Sequence, residues 1–428
     1  MKPQLAKGTR DIMPEEQILR QKIMSILRKN FELYGYSPLE TPILERYETL
    51  AAKFGAGQES DALKETFKLK DQGDRDLGLR FDLTVPLARF IALNPQVRFP
   101  FKRYQIGRVF RDGPIKLGRY REFWQCDIDV IGTKNLVYDA ELLKIVDEIF
   151  SELNFEIEIQ LNSRNLLKDL LGYFGIKNDQ DSVIITLDKI EKLPEQEVEN
   201  ELKEKGIKKA KELIVLLRKE KDNKKTLAKI KKYAKPETLN EINTVLDYLT
   251  KFKVGSVVLN PGLARGLSYY TGPVFEVFLK NSEIKSSVCG GGRYDNMIGN
   301  FMESEQEIPA TGISFGMDVI LDAIKSRGDS EIKTPVTVYL IPIKNMNECI
   351  PILQKLRDNN INSEMDYNEK NISKNLDYAN KLSIPYVLIC GPRELEENKL
   401  KLKNMISGEE KLLSLNEIIK LLKNINQN

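Results

Sequence analysis

Apolar residues Leu19, Ile23, Ile26, Leu27 and Phe31 recur at helical spacing and predict an amphipathic helix that opens at Pro14. Proline suits a first helical turn, and Glu15 and Glu16 behind it suit the positive end of the helix dipole. Gly35 ends the helix, and residues 37–42 (Ser-Pro-Leu-Glu-Thr-Pro) must be extended, because a residue before proline avoids the helical region. From 66 to 131 the pattern changes to short, often alternating runs at 66–69, 77–81, 103–110 and 123–130, and the whole stretch reads as strands and turns. Arg111-Asp112-Gly113-Pro114 is a loop signature between the last two. Connections this short leave no room for helical crossovers, so an antiparallel sheet is expected. A helix over 139–153 and an alternating strand over 155–161 follow.

Residues 164–253 change character, being rich in Lys, Glu and Leu and poor in Gly, and read as a helical insertion. Within it, 203–235 carries thirteen lysines and one arginine against three glutamates and one aspartate. Strand character returns at 255–259 and 274–279, and Cys289-Gly290-Gly291-Gly292-Arg293 reads as a glycine-rich turn. After a linker at 326–330, strands at 336–342, 385–390 and 399–405, with a short strand between the first two helices, alternate with helices at 347–359, 373–382 and 416–423, which implies a separate α/β domain with a parallel or mixed sheet. The expected division is 1–163 and 254–328 for one core, 164–253 for the insertion and 333–428 for the last domain.

Length supports this division: 428 residues correspond to about three domains at roughly 150 residues each. No apolar run is long enough to span a bilayer, and no apolar segment follows the first basic residues, so a cytoplasmic, non-membrane, non-secreted protein is expected. Four cysteines stand far apart with no CxxC pair, which argues against zinc and disulfides. The net charge of +3 is no global polyanion-binding excess. The chain contains no histidine. That excludes a Ser-His-Asp triad and every His-ligated metal, so any chemistry must run on carboxylates, Arg, Tyr or the substrate itself.

Four constellations could carry chemistry. Arg111, Arg119, Arg121 and Phe123 flank one hairpin loop, either as a polyanion clamp with an aromatic stacking face or as a solvated turn. Gln125, Asp127 and Asp129 alternate on one strand face and, with Asp82 and Thr84, form either a polar cavity for an ammonium and a second N–H donor or a wet sheet face. Residues 263–272 hold Arg265 beside Gly266 and the pair Tyr269-Tyr270, which suits a substrate loop, although paired tyrosines also pack. Gly290-Gly291-Gly292-Arg293-Tyr294-Asp295 is neither a Walker loop nor a GxGxxG fingerprint and reads in isolation as a bare turn. The basic run at 203–235 could meet a phosphate backbone, but a solvated helix face is the favoured reading.

In this order the pieces resemble the class II aminoacyl-tRNA synthetases and, more narrowly, the histidyl-tRNA synthetase family, over nearly the whole chain. Lys7-Gly8-Thr9-Arg10-Asp11 resembles the family's start, the helix ending at Tyr34 with the extended stretch to Pro42 its motif 1, and 108–112 with 118–123 and Asp127 its motif 2. Residues 263–272 and 290–295 resemble its histidine-specific signatures, 309–318 its motif 3, and 334–428 its anticodon-binding domain. The resemblance implies an α+β catalytic domain on a mainly antiparallel sheet, with a helical insertion and a C-terminal α/β anticodon-binding domain. It implies activation of L-histidine with ATP and transfer to tRNA(His), by a homodimer formed through motif 1. Asp82, Thr84 and Gln125 would hold the α-amino group, with Leu83 in the same histidine-binding set, and Asp129 and Tyr270, with Tyr269 nearby, would bind the imidazole. Arg111 and Arg265, the catalytic pair, would flank the carboxylate and α-phosphate; Arg119 would reach the distal phosphates and Phe123 would stack on adenine. Mg²⁺ would arrive with ATP, with no zinc and no tightly bound cofactor.

The chain departs from the family pattern twice. Val319 follows Asp318 where motif 3 has Arg, and Gly113 stands where motif 2 has an acid. The alternative is a non-catalytic paralogue acting as a histidine sensor or ATP phosphoribosyltransferase regulatory subunit. Such proteins usually lack the C-terminal domain and degrade the Arg–Gly…Tyr–Tyr loop, and both are present here. A tRNA-binding module without ATP chemistry is a third reading.

Overall fold

The computed structural model describes residues 2–52, 61–115, 120–176, 180–187, 190, 193–220, 222–264, 269–302, 307–328 and 332–425. The chain divides into two units, Met1–Arg10 with Ile23–Ser326 and Asp11–Lys22 with Arg327–Asn428. Among the described residues no helix is long and apolar enough to cross a membrane.

The larger unit is organised by an eight-stranded sheet in the order Ser37–Pro38, Phe101–Phe110, Glu122–Ile131, Ala310–Gly316, Cys289–Arg293, Pro273–Leu279, Ile157–Ser163, Val257–Leu259. Its inner pairings are antiparallel and its two edge pairings parallel. Side chains alternate across a strand, so register decides what each face presents. Arg103, Gln105 and Gly107 lie beside Asp129, Asp127 and Gln125, and these lie beside Gly312, Ser314 and Gly316, with Gly292 and Gly290 next. One face is therefore polar and glycine-lined across four strands.

The opposite face presents Tyr104, Cys126, Ile128, Ile313, Phe315, Phe275, Val277 and Ile159, all buried. Helices cover it. In the helix Pro14–Leu33, Ile23, Leu27 and Phe31 are fully buried, and the Phe31 ring lies 5.6 Å from both Tyr104 and Phe315. Phe150, from the helix Val137–Glu152, stacks on Phe315 at 6.4 Å. Each such side chain contributes about 1.5–3 kcal/mol on leaving water, so the covered face fixes the sheet and leaves the other free for polar chemistry.

Three expectations are corrected. The runs near 66–69 and 77–81 form, with Leu44–Arg46, a separate three-stranded sheet as Lys68–Lys70 and Asp76–Leu79. Thr84–Leu93, inside the stretch read as strands and turns, is a helix. Its apolar run masks the period, but Asp82 accepts from the Thr84 and Val85 amides (3.1 and 3.0 Å) and satisfies donors that an isolated helix start leaves open. Cys289–Arg293 is a central strand, not a turn, because its glycines let neighbouring strands approach: a Cβ at Gly291 would stand 2.1 Å from the Gly312 carbonyl.

Between 164 and 251 the described chain is helical: Arg164–Tyr173, Gln180–Leu187, Glu195–Glu204, Ala210–Leu217, Asn223–Ile230 and Pro236–Lys251. Leu167, Leu170, Ile184, Val198, Leu213 and Ile242 belong to a core these helices enclose. Lys203, Lys208, Lys211 and Lys229 stand with Phe174 and Tyr233 around a concavity of about 970 Å³.

In the smaller unit, Ser363–Met365, Val338–Pro342 and Tyr386–Cys390 are parallel, and Leu400–Asn404 and Glu410–Leu413 extend the sheet antiparallel. Alternate residues feed two cores, Leu340 and Leu388 in one and Tyr339, Ile341 and Val387 in the other. The last strand and the short helix Pro392–Glu396 were not expected; both are mostly exposed and too short to leave a period.

Candidate active site

The polar face concentrates charge at one point. Arg103 is fully buried, its Nη2 lies 2.8 Å from Asp129 Oδ2, and it donates to the Leu83 carbonyl at 3.2 Å. The Asp129 Oδ1 accepts from the Tyr294 hydroxyl at 2.5 Å. Gln125 Nε2 donates to Ser314 Oγ at 3.1 Å. Asp82, Asp127 and Asp129 are 7%, 4% and 3% exposed, so among the described residues three carboxylates share this interior with two buried guanidiniums, Arg103 and Arg80. Asp127 Oδ1, Gln125 Oε1 and Arg103 Nη1 are buried without a hydrogen-bond partner. Native interiors satisfy nearly all such atoms, so a cluster of open ones marks a place built for a polar ligand.

Burial pushes the Asp127 carboxyl up to about 7; Arg103 and Ser314 oppose this, and Asp129 and Asp82 reinforce it. Burial also raises Asp129, against the pull of Arg103 and the Tyr294 hydroxyl. A cation beside these carboxyls would favour their ionised forms.

At one end of the face the hairpin opens. Arg111 lies just past the Phe101–Phe110 strand, its amide bonded to the Arg121 carbonyl at 2.9 Å. Its guanidinium lies 4.1 Å over the Phe81 ring and 5.0 Å over Phe123, and Nε donates to the Phe81 carbonyl at 3.4 Å. Phe123, placed on the strand Glu122–Ile131, therefore shares its surroundings with a fixed positive charge. Arg121, expected in the same clamp, pairs instead with Asp112 at 2.7 Å. Arg119 and Arg265 lie outside the described residues.

At the other end Tyr269 and Tyr270 pack at 4.6 Å, and Tyr269 meets Tyr294 edge-on at 6.2 Å. Two glycines make this approach possible. A Cβ at Gly312 would stand 1.9 Å from Asp129 Oδ1, and Gly292, at φ +155°, leaves only 3.0 Å to the Tyr270 ring. Thr84 stands at the start of the capped helix, and Leu83 contributes its carbonyl, since its side chain is fully buried. The structure thus brings Leu83 and Asp129 onto Arg103, with Asp82 beside Leu83 and Gln125 farther along the same strand face.

Sequence reasoning missed Arg103 and the role of Tyr294. Arg103 had a signal: in Arg103-Tyr104-Gln105 it alternates onto the face that a hairpin partner ending in Asp127-Ile128-Asp129 would share. Arg293, read as part of the glycine-rich signature, points the other way and forms an ion pair with the fully buried Asp139.

The histidyl-tRNA synthetase family profile matches residues 8–320, and an anticodon binding domain profile matches 337–425. The chain is 43% identical to "Histidine--tRNA ligase 1" of Bacillus cereus, over 97% of this chain and 98% of that one.

The chain belongs to the histidyl-tRNA synthetase family.

It is also 37% identical to the "Histidine--tRNA ligase" of Clostridium tetani over 99% of both chains. The histidyl-tRNA synthetase of Nostoc sp. PCC 7120 superposes with a TM-score of 0.86 at 29% identity over 99% of each chain. The fold is therefore that of a class II synthetase with a C-terminal anticodon-binding domain. Against the family pattern, Gly113 is the informative departure: a Cβ there would stand 2.7 Å from the Glu65 carboxyl, so a carboxylate occupies that corner from another segment. Asp318 accepts from the Trp124 amide at 3.2 Å and pairs with Arg10 at 3.4 Å, and Val319 follows it.

Proposed function

We propose that this chain activates L-histidine with ATP to histidyl-adenylate and transfers the histidyl group to the 3′ end of tRNA(His). The observation that carries the substrate assignment is the buried acidic notch with open acceptors at Asp127 and Gln125. Histidine brings an ammonium and an imidazole with a donor and an acceptor, and a site that pairs them rejects amino acids lacking either. Asp82, Leu83, Thr84 and Gln125 lie around the α-amino group, and Asp129 with Tyr270 and Tyr269 takes the ring.

In the first step the histidine carboxylate attacks the α-phosphorus in line and pyrophosphate leaves. No proton moves, so preorganised cations suffice: Arg111 and Arg265 beside the carboxylate and α-phosphate, Arg119 on the distal phosphates, Phe123 stacked on adenine. Mg²⁺ enters as part of the nucleotide substrate, held through phosphate oxygens. Among the described residues no group of three His, Cys, Asp or Glu side chains could hold a metal ion. In the second step a terminal ribose hydroxyl of tRNA attacks the adenylate carbonyl and AMP leaves. With no histidine in the chain, the hydroxyl proton is assigned to a phosphate oxygen of the adenylate.

The same reading takes 1–163 with 254–328 as the catalytic core, 164–253 as its insertion and 333–428 as the anticodon-binding domain, in a cytoplasmic homodimer joined through motif 1. Incubation with labelled histidine, ATP and total bacterial tRNA should give acid-precipitable histidyl-tRNA. No label on tRNA from an otherwise folded protein would overturn the assignment.

A further inference from the structure

Asp127 marks the notch, but the roles above pair it with no atom of the substrate. It sits between Gln125 and Asp129 on the same strand face, 4% exposed. Asp129 Oδ1 accepts from Tyr294 and its Oδ2 faces Arg103 in an ion pair, and Asp82 accepts from two amides at the start of the helix Thr84–Leu93. Asp127 keeps a buried oxygen with no partner, two positions from the equally open Gln125 Oε1. An uncompensated carboxylate in a dry site is costly unless a cation arrives. We propose that Asp127 is a further substrate-binding residue, whose open oxygen accepts from the α-ammonium of histidine and supplies the counter-charge that fixes it. This rests on the histidine reading of the site.

The charged and titratable groups facing Asp127 are Arg103 and, farther off, Arg80, with Asp129 and Asp82 as like charges; Ser314 is its neutral hydrogen-bonding neighbour. With its folded value near 7, well above an ordinary carboxylate, Asp127 favours the folded free protein at low pH, and that contribution is lost as pH rises from about 4 through 7. An ammonium beside it favours the ionised form. Histidine binding near pH 7 then expels proton from this group.

The experiment is calorimetric titration of the full chain with L-histidine at pH 7 in buffers of different ionisation enthalpy, for wild type and Asp127→Asn. Wild type should release the proton, and Asp127→Asn should release less and bind about 10–100-fold more weakly, as expected for loss of a charge-assisted pair. Should the variant not fold, wild type titrated with imidazolepropionic acid, which keeps ring and carboxylate and lacks the ammonium, decides alone: binding as tight as that of histidine contradicts the proposal. Wild-type-like affinity and release in Asp127→Asn also overturn it. A wild type with no histidine-dependent pyrophosphate exchange would overturn the underlying reading instead.

Discussion

Arg111→Ala is expected to lower kcat for histidine-dependent ATP–pyrophosphate exchange by about 10²–10³-fold, the usual cost of removing one preorganised donor to a developing charge. The guanidinium is held between Phe81 and Phe123 and is tied to the Phe81 carbonyl, so it is in place before substrate arrives. What the fold loses is smaller: a cation–π contact at a half-buried site contributes about 0.5–1 kcal/mol. Near-normal thermal unfolding with crippled exchange is the expected pair of results. Arg111→Lys should recover only part of the rate, since an ammonium keeps the charge but not the planar fork. Exchange within a few-fold of wild type in Arg111→Ala would remove Arg111 from the adenylation step.

Arg103→Met is expected to destabilise the larger unit by about 3–5 kcal/mol, because it leaves buried carboxylates without their counter-charge. Arg103 is fully buried and pairs with Asp129 while facing Asp127, and methionine fills much of the volume without the charge. The chain has one tryptophan, Trp124, on the same strand as these aspartates, so its fluorescence in urea reports this unit. The pH dependence has a definite sign. Without Arg103 the carboxyls are driven further up, so the variant's deficit is greatest above pH 7 and shrinks as acid neutralises them. A loss under 1 kcal/mol, or one independent of pH, would contradict the charge balance drawn for the site.

How much of this was legible beforehand follows from what a sequence encodes locally. The amphipathic first helix, the antiparallel pairing of Phe101–Phe110 with Glu122–Ile131 and the alternation of the C-terminal unit all leave periods, and all are present in the fold. The site residues Gln125, Asp127 and Asp129 could be assigned to one face because a strand alternates. What faces them could not, since register between distant segments is set by packing: nothing local says that Gly312 and Ser314 adjoin Asp129 and Asp127. Arg103 was missed because charge in a strand usually signals solvent, and only its burial against Asp129 gives it meaning. The glycines at 290–292 imitate a turn because the signal for close strand packing and the signal for chain reversal are the same residue.

The most direct test of the claim that this notch selects histidine is ATP–pyrophosphate exchange run with each of the twenty amino acids in turn. Exchange should rise above background with histidine alone. A comparable signal from another amino acid, or none from histidine with pure folded enzyme, would contradict it.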